Sequence, residues 1–413
     1  MSDYWGEFRT EWRALASVTL GLSFGLIMMS YAIGIMGPHL IRQFGWSQAT
    51  FVAIQTLSLL AVVVYPFVGR LADRITARKT ALIGVAASPV LFLGLSVMGD
   101  LTSYAVLFTL QSVILSTTTP PVLCRVIVQR FKQAKGLALA TAVAGPSLLA
   151  AVGGPLLNNF VVDHGWRAGY VALAVASLIG GGLAIALMPS DLSEAPQPPK
   201  KKAARGDYAL IFRTPAFWLL NASVLLCTLP MSVMVTQLGL VVGEHGVIDK
   251  TVSIIVSSYA IGMLVGRLIS GFALDRLPGP LVASGSLAMS AAGLFVMSQQ
   301  GGSVAVLAVA VLAVGLSFGA ESDIVGYLIS RYFPVRVYGS VFGIISSTIT
   351  VSTTAGAALM SVMLSRTGSY SPFLLIASIS VFLGSMMFLL LPRRHGEPEH
   401  EPALAREAAV PGG

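Results

Sequence analysis

Arg267 is the only charged side chain between Lys250 and Asp275, in an apolar run long enough to cross a membrane. A guanidinium keeps its proton, and its planar fork matches a carboxylate. At mid-bilayer it costs at least ~2.5 kcal/mol, so it should face water or an anion. Arg267 stands eight residues before Asp275, about 12 Å along a helix. Glu321 and Asp323 lie in "GLSFGAESDIVGYLISRYF" (315–333), and Glu321 is ten residues before Arg331, about 15 Å in. A deep cation can hold an anionic solute, and a deep carboxyl can exchange a proton as that solute comes and goes. Helical residues two apart point to nearly opposite sides, so the two acids do not share one cavity. Either one can pair with Arg267 in the empty protein and take the proton when an anion displaces it. The competing account is a structural ion pair between helices.

The elements that must carry these groups are membrane helices. The 413 residues are 55% hydrophobic and 11% charged, where soluble domains carry about 25% charge. Twelve apolar runs approach the 20 residues of a spanning helix: 14–37, 48–69, 80–98, 104–128, 136–160, 168–188, 216–242, 251–274, 281–297, 304–328, 339–364 and 373–391. The first is too long for a signal peptide and lacks a cleavage site. With both termini inside, the inner segments hold twenty of the 26 Lys/Arg and the outer loops four; Arg125 and Arg267 remain for the helices. That bias sets the orientation and explains the net charge of +8 by anionic lipid, with no need for nucleic acid. Cys124 and Cys227 lie in apolar runs without metal-ligand spacing, and the five histidines form no zinc pattern. No phosphate-binding G-x-x-x-x-G-K-[ST] loop occurs, so no ATP use and no cofactor is expected.

The polar stretch "PSDLSEAPQPPKKKAARGDY" (189–208) reads as a flexible inner linker. It divides the chain into a six-helix bundle at 1–189, a linker at 190–213, a second bundle at 214–392 and a disordered tail at 393–413. Adding 202 to the first half's spans lands within a few residues of the second half's. "GRLADR" (69–74) then meets "GFALDR" (271–276), matching Gly69, Asp73 and Arg74 to Gly271, Asp275 and Arg276. Parallel repeats of this kind build transporters that rock two bundles about a central site. Gly69 permits close helix approach. Asp73 can face a helix N-terminus or a basic residue as a breakable latch. The same offset pairs Arg267 with Tyr65, which could donate a hydrogen bond into the cavity. "STTTPP" (116–121) adds the hydroxyls of Thr118 and Thr119 beside a proline-bent backbone, Ser317 shares a face with Glu321, and the shallower Arg125 is a possible second anion contact.

"GRLADRITARK" (69–79) resembles the loop signature G-x-L-A-D-R-x-G-R-[RK] of the major facilitator superfamily. Gly69, Leu71, Asp73, Arg74, Arg78 and Lys79 match, while Thr76 replaces a glycine. "AVAGPSLLAAVGGP" (142–155) is similar to the Gly/Pro pattern of that superfamily's antiporters. "FGWSQATF", "RFKQAKGLALATAVAG", "GWRAGY", "RTPAFW" and "GMLVGRLISGFALDR" resemble the monocarboxylate transporters and the oxalate/formate-antiporter-like group. The resemblance implies an all-α integral membrane fold and no enzymatic activity. It also implies that Arg267 binds the substrate carboxylate and that the 69–78 motif gates. The span at 339–364 lacks the lysine of the oxalate/formate antiporter, and Met263 stands where animal monocarboxylate transporters place an aspartate. The expected partners are a small organic anion, protons and the lipid of a cell membrane, with the protein a monomer. Secondary active transport of that anion by proton-coupled symport and alternating access is the first reading; a drug or metabolite:proton antiporter of the same fold and a non-transporting membrane sensor are the alternatives.

Overall fold

The computed structural model describes residues 4–189, 204–247, 249–299 and 303–392, which are helical throughout with no strand among them. A short α1 (Tyr4–Thr10) is followed by α2 (Trp12–Ser23), α3 (Leu26–Phe44), α4 (Gln48–Gln55), α5 (Ala61–Ile75) and α6 (Ala77–Val97). Next come α7 (Leu101–Ile114), α8 (Pro120–Arg130) and the 53-residue α9 (Lys135–Leu187). The second half holds α10 (Ala204–Arg213), α11 (Pro215–Cys227), α12 (Met231–Thr236), α13 (Leu238–Gly243) and α14 (Asp249–Leu274). It ends with α15 (Gly279–Ser298), α16 (Val304–Tyr332), α17 (Tyr338–Thr367) and α18 (Ser371–Met387).

Among the described residues, ten stretches are long and apolar enough to cross a membrane. They differ from the twelve runs of the sequence at two places. The fifth and sixth runs merge into α9, which turns at Gly165 with φ 83°, a left-handed value that glycine reaches without strain. The second run is interrupted by the 3₁₀ turn Thr56–Leu60 between α4 and α5. Large apolar side chains stand outward in bulk, with Val97 80% and Phe67 69% exposed. That is a surface made for lipid, since soluble monomers rarely expose contiguous apolar patches of this kind. The linker is not wholly flexible: α10 occupies its last ten residues, while 190–203 and the tail at 393–413 lie outside the described residues.

Local chemistry starts and stops these helices. Asp100 and Ser103 form a reciprocal capping box at the start of α7. Proline opens α8, α11, α15 and α18, where its missing N–H leaves no bond unmade. Midway along the first apolar run the helix breaks at Phe24–Gly25, and the Leu26 N–H that starts α3 donates to Thr118 Oγ1 at 3.0 Å. A break at 228–230 between α11 and α12 lies close to 202 residues later.

Register in the second half is set by glycine. A Cβ on Gly315 would fall on the Tyr259 backbone, and one on Gly319 on the Met263 carbonyl, so α14 and α16 touch backbone to backbone. One turn further along the same two faces stand Asp323 and Arg267. Gly319→Ala is expected to destabilise the fold by about 1–3 kcal/mol, the usual penalty for overpacking, and to lower the apparent Tm in detergent.

Candidate functional site

Arg267 and Asp323 meet through this packing. The guanidinium Nη1 lies 3.6 Å from Asp323 Oδ1, with the side chains 11% and 0% exposed. The pairing is electrostatic: among the described residues neither Arg267 Nη1 nor Asp323 Oδ2 has a hydrogen-bond partner, and Ser322 Oγ donates to Asp323 Oδ1 at 3.3 Å. The guanidinium therefore keeps donors to offer. Glu321, two residues away on α16, makes no ion pair with Arg267 and instead lies near Cys227 of α11 and Tyr259 of α14. Both its carboxyl oxygens are buried, and among the described residues neither has a hydrogen-bond partner.

A second constellation joins the halves of the chain at one face. Asp73, at the end of α5, accepts from the N–H groups of Gly339 (3.0 Å) and Ser340 (2.7 Å), in the first turn of α17. The Ser340 hydroxyl (2.6 Å) and Arg125 Nη1 (2.7 Å) complete its shell. Asp275, just past α14, accepts from Gly136 (2.5 Å) and Leu137 (3.0 Å), in the first turn of α9. Tyr4 Oη donates to Asp275 Oδ2 at 2.8 Å, the oxygen that also accepts from Leu137. Each carboxylate thus caps a helix of the opposite half, where the free N–H groups and the helix dipole favour negative charge. Glycine brings the backbones close enough: a Cβ on Gly69 would overlap the Gly339 carbonyl, and one on Gly271 would crowd Gly136 and Ala140. Burial pushes the Asp275 carboxyl above its ordinary value, while the bonds from Leu137, Gly136 and Tyr4 pull it down. The Tyr4 hydroxyl is pushed up too, by burial first and by its bond to Asp275 second, so it stays a donor at neutral pH.

The family model of the Major Facilitator Superfamily matches residues 18–247 and 223–411. The chain belongs to this superfamily. Monocarboxylate transporter 11 of Mus musculus is 26% identical over 409 residues, covering 92% of this chain and 86% of that protein. Monocarboxylate transporter 13 of Rattus norvegicus is 25% identical over 291 residues, 67% of this chain and 64% of its own. Among solved structures, the E. coli fucose:proton symporter superposes with a TM-score of 0.71 at 13% identity, covering 92% of this chain and 98% of that one. A bacterial homologue of the iron transporter ferroportin in an outward-facing state gives 0.70 at 16% identity, with coverage of 92% and 98%. The chain is a multi-pass membrane transporter by family, not an enzyme, and its sequence is similar to the monocarboxylate group.

In this superfamily member the remaining candidate residues sit as follows. Thr118 Oγ1 is occupied by the Leu26 N–H and by its own bond to the Leu115 carbonyl, and Thr119 Oγ1 donates to the Ser116 carbonyl. Ser317 Oγ donates to the Ser286 carbonyl of α15. The Tyr65 side chain is half-buried on α5, where its backbone carbonyl faces Gly343. Arg125 bonds Asp73 and the Ala72 carbonyl (2.8 Å), so in this conformation it is engaged at Asp73. Arg74 and Arg276 are exposed, Arg276 lying over the Phe272 ring at 3.8 Å, and Arg78 is half-buried. Sequence reasoning passed over Tyr4, Gly136 and Gly339. The glycines that follow Phe131 and Phe333 by five and six residues were the signal available for the last two.

Asp73→Asn is expected to weaken the contact between the two halves at this face about tenfold, since bonds to a charged partner are worth about 1.5–3 kcal/mol each and only part of that is lost with the charge. The check is the distance distribution between spin labels at Gln133→Cys and Leu277→Cys. Both are exposed positions on this face, one in each half of the chain.

Proposed function

We propose that this protein carries a monocarboxylate or similar small organic anion together with a proton, by alternating access. The observation behind the reading is the loose Arg267–Asp323 pair deep between α14 and α16. An incoming carboxylate takes the guanidinium fork, and Asp323, released from its cation, takes the proton. One proton thus accompanies one anion, so a pH gradient drives accumulation. With one deep arginine the site suits one carboxylate better than two.

In this reading twelve helices span a cell membrane as two six-helix bundles at 1–189 and 214–392, joined by the 190–213 linker. Both termini and the Asp73 and Asp275 latches lie on the cytoplasmic side. Closed latches there correspond to a carrier open or occluded toward the outside. Tyr65, Thr118 and Thr119 are proposed to lie near the solute path, and Arg125 to be freed for an anion when the latch opens; Ser317, bonded to α15 on the face of Glu321, is left out of it.

The test is uptake of a panel of labelled acids into proteoliposomes, with and without an inward proton gradient. Saturable, gradient-driven uptake of a monocarboxylate is expected. Robust export of a lipophilic cation with no uptake of any acid would replace this reading by the exporter of the same fold.

A further inference from the structure

The seven-residue α1 before the first apolar helix is tied to both halves of the chain. Glu7 lies 6% exposed, and its carboxylate accepts from three successive backbone N–H groups: Lys132, Gln133 and Ala134, at 3.0–3.3 Å. These lead directly into α9, whose next donors, Gly136 and Leu137, are held by Asp275. Two carboxylates therefore share the start of one helix, Glu7 from the same half and Asp275 from the other. Phe8 packs edge-on against Phe131 with ring centroids 5.5 Å apart, and Glu11 pairs with Arg130 at 3.6 Å, fixing α1 further to the first half. Tyr4 stands three residues before Glu7, on the same helix face. Its hydroxyl reaches Asp275 at 2.8 Å, and Arg276 lies 6.0 Å from its ring.

We infer that α1 is a strap of the gate, with Glu7 anchoring it to the α9 start and Tyr4 acting as a positioning residue that holds Asp275 in its cap. When the halves separate, Asp275 leaves with α14 while the Glu7 bonds stay within the first half. The Tyr4–Asp275 bond must then break together with those from Gly136 and Leu137. Tyr4 holds at Asp275 the place that Arg125 takes at Asp73, a side-chain donor beside two backbone N–H groups. The inference rests on the proposal that this face opens during transport, but not on the identity of the solute.

The experiment uses the full-length protein in nanodiscs with spin labels at Gln133→Cys and Leu277→Cys, without substrate. Tyr4→Phe keeps the ring and removes only the hydroxyl. It is expected to raise the open-to-closed ratio about tenfold, as loss of a hydrogen bond to a charged group would. In an Asp275→Ala background, already shifted toward open, Tyr4→Phe is expected to add nothing, because its partner is gone. A packing role for α1 would add the same shift in both backgrounds, and that result overturns the inference. So does a distance distribution that Tyr4→Phe leaves unchanged while Asp275→Ala opens it. If neither Asp275→Ala nor Asp73→Asn produces an open population, the strap and the alternating-access reading fall together.

Discussion

Arg267→Lys is expected to reduce carboxylate uptake about 100-fold or more at subsaturating solute, although the charge is kept. The guanidinium presents five donors in a rigid fork, while an ammonium is a compact, strongly hydrated point charge. Arg267 already lacks a full hydrogen-bond complement in the closed protein: its Nη1 is buried and meets Asp323 only at 3.6 Å. An arriving carboxylate would complete the fork with two parallel bonds, which are shorter and about twice as strong as neutral ones. Breaking a buried, hydrogen-bonded ion pair costs about 3–5 kcal/mol, or about two to four powers of ten in affinity. The measurement is initial uptake into proteoliposomes against solute concentration, with Tm confirming an intact fold. Unchanged KM and rate in the lysine variant would remove Arg267 from the solute site.

The sequence made the architecture legible because lipid imposes a strong pattern. Apolar runs, the internal 202-residue offset and the Gly69/Asp73 motif can each be read without coordinates, since each reflects a constraint along one helix. The partners could not be read the same way. Asp73 finds Gly339 and Ser340, and Asp275 finds Gly136 and Leu137, through backbone N–H groups that any residue type provides. Only the glycines that permit the close approach leave a trace. The choice between Glu321 and Asp323 was undetermined for a similar reason. It depends on which face of α16 meets α14, and the Gly315 and Gly319 contacts set that register. Helix breaks inside apolar runs, at Phe24–Gly25 and after Cys227, escape any count of hydrophobicity because the broken halves stay equally apolar. The contacts of α1 escaped because seven residues ahead of the first apolar run are too few for a periodicity to declare them.

Asp323→Asn and Glu321→Gln are expected to separate the two deep acids. In the asparagine variant Arg267 loses its counter-charge and stays in place, a buried cation that only an incoming anion can neutralise. Solute should therefore bind more tightly, lowering the apparent KM, since the anion no longer displaces a carboxylate to reach the guanidinium. The proton acceptor is gone, so a pH gradient should no longer drive accumulation, while exchange of labelled for unlabelled acid continues. Loss of accumulation with preserved exchange separates a coupling residue from a structural one, because a collapsed helix pair would lose both. Glu321 lies near Cys227 and Tyr259 and shares no partner with the Arg267–Asp323 pair, so its replacement by glutamine should leave gradient-driven accumulation within about twofold. Accumulation lost in the glutamine variant and kept in the asparagine variant would move the proton site from Asp323 to Glu321. The Arg267–Asp323 contact would then be a structural pair, and coupling would have to run through the interior of the second half.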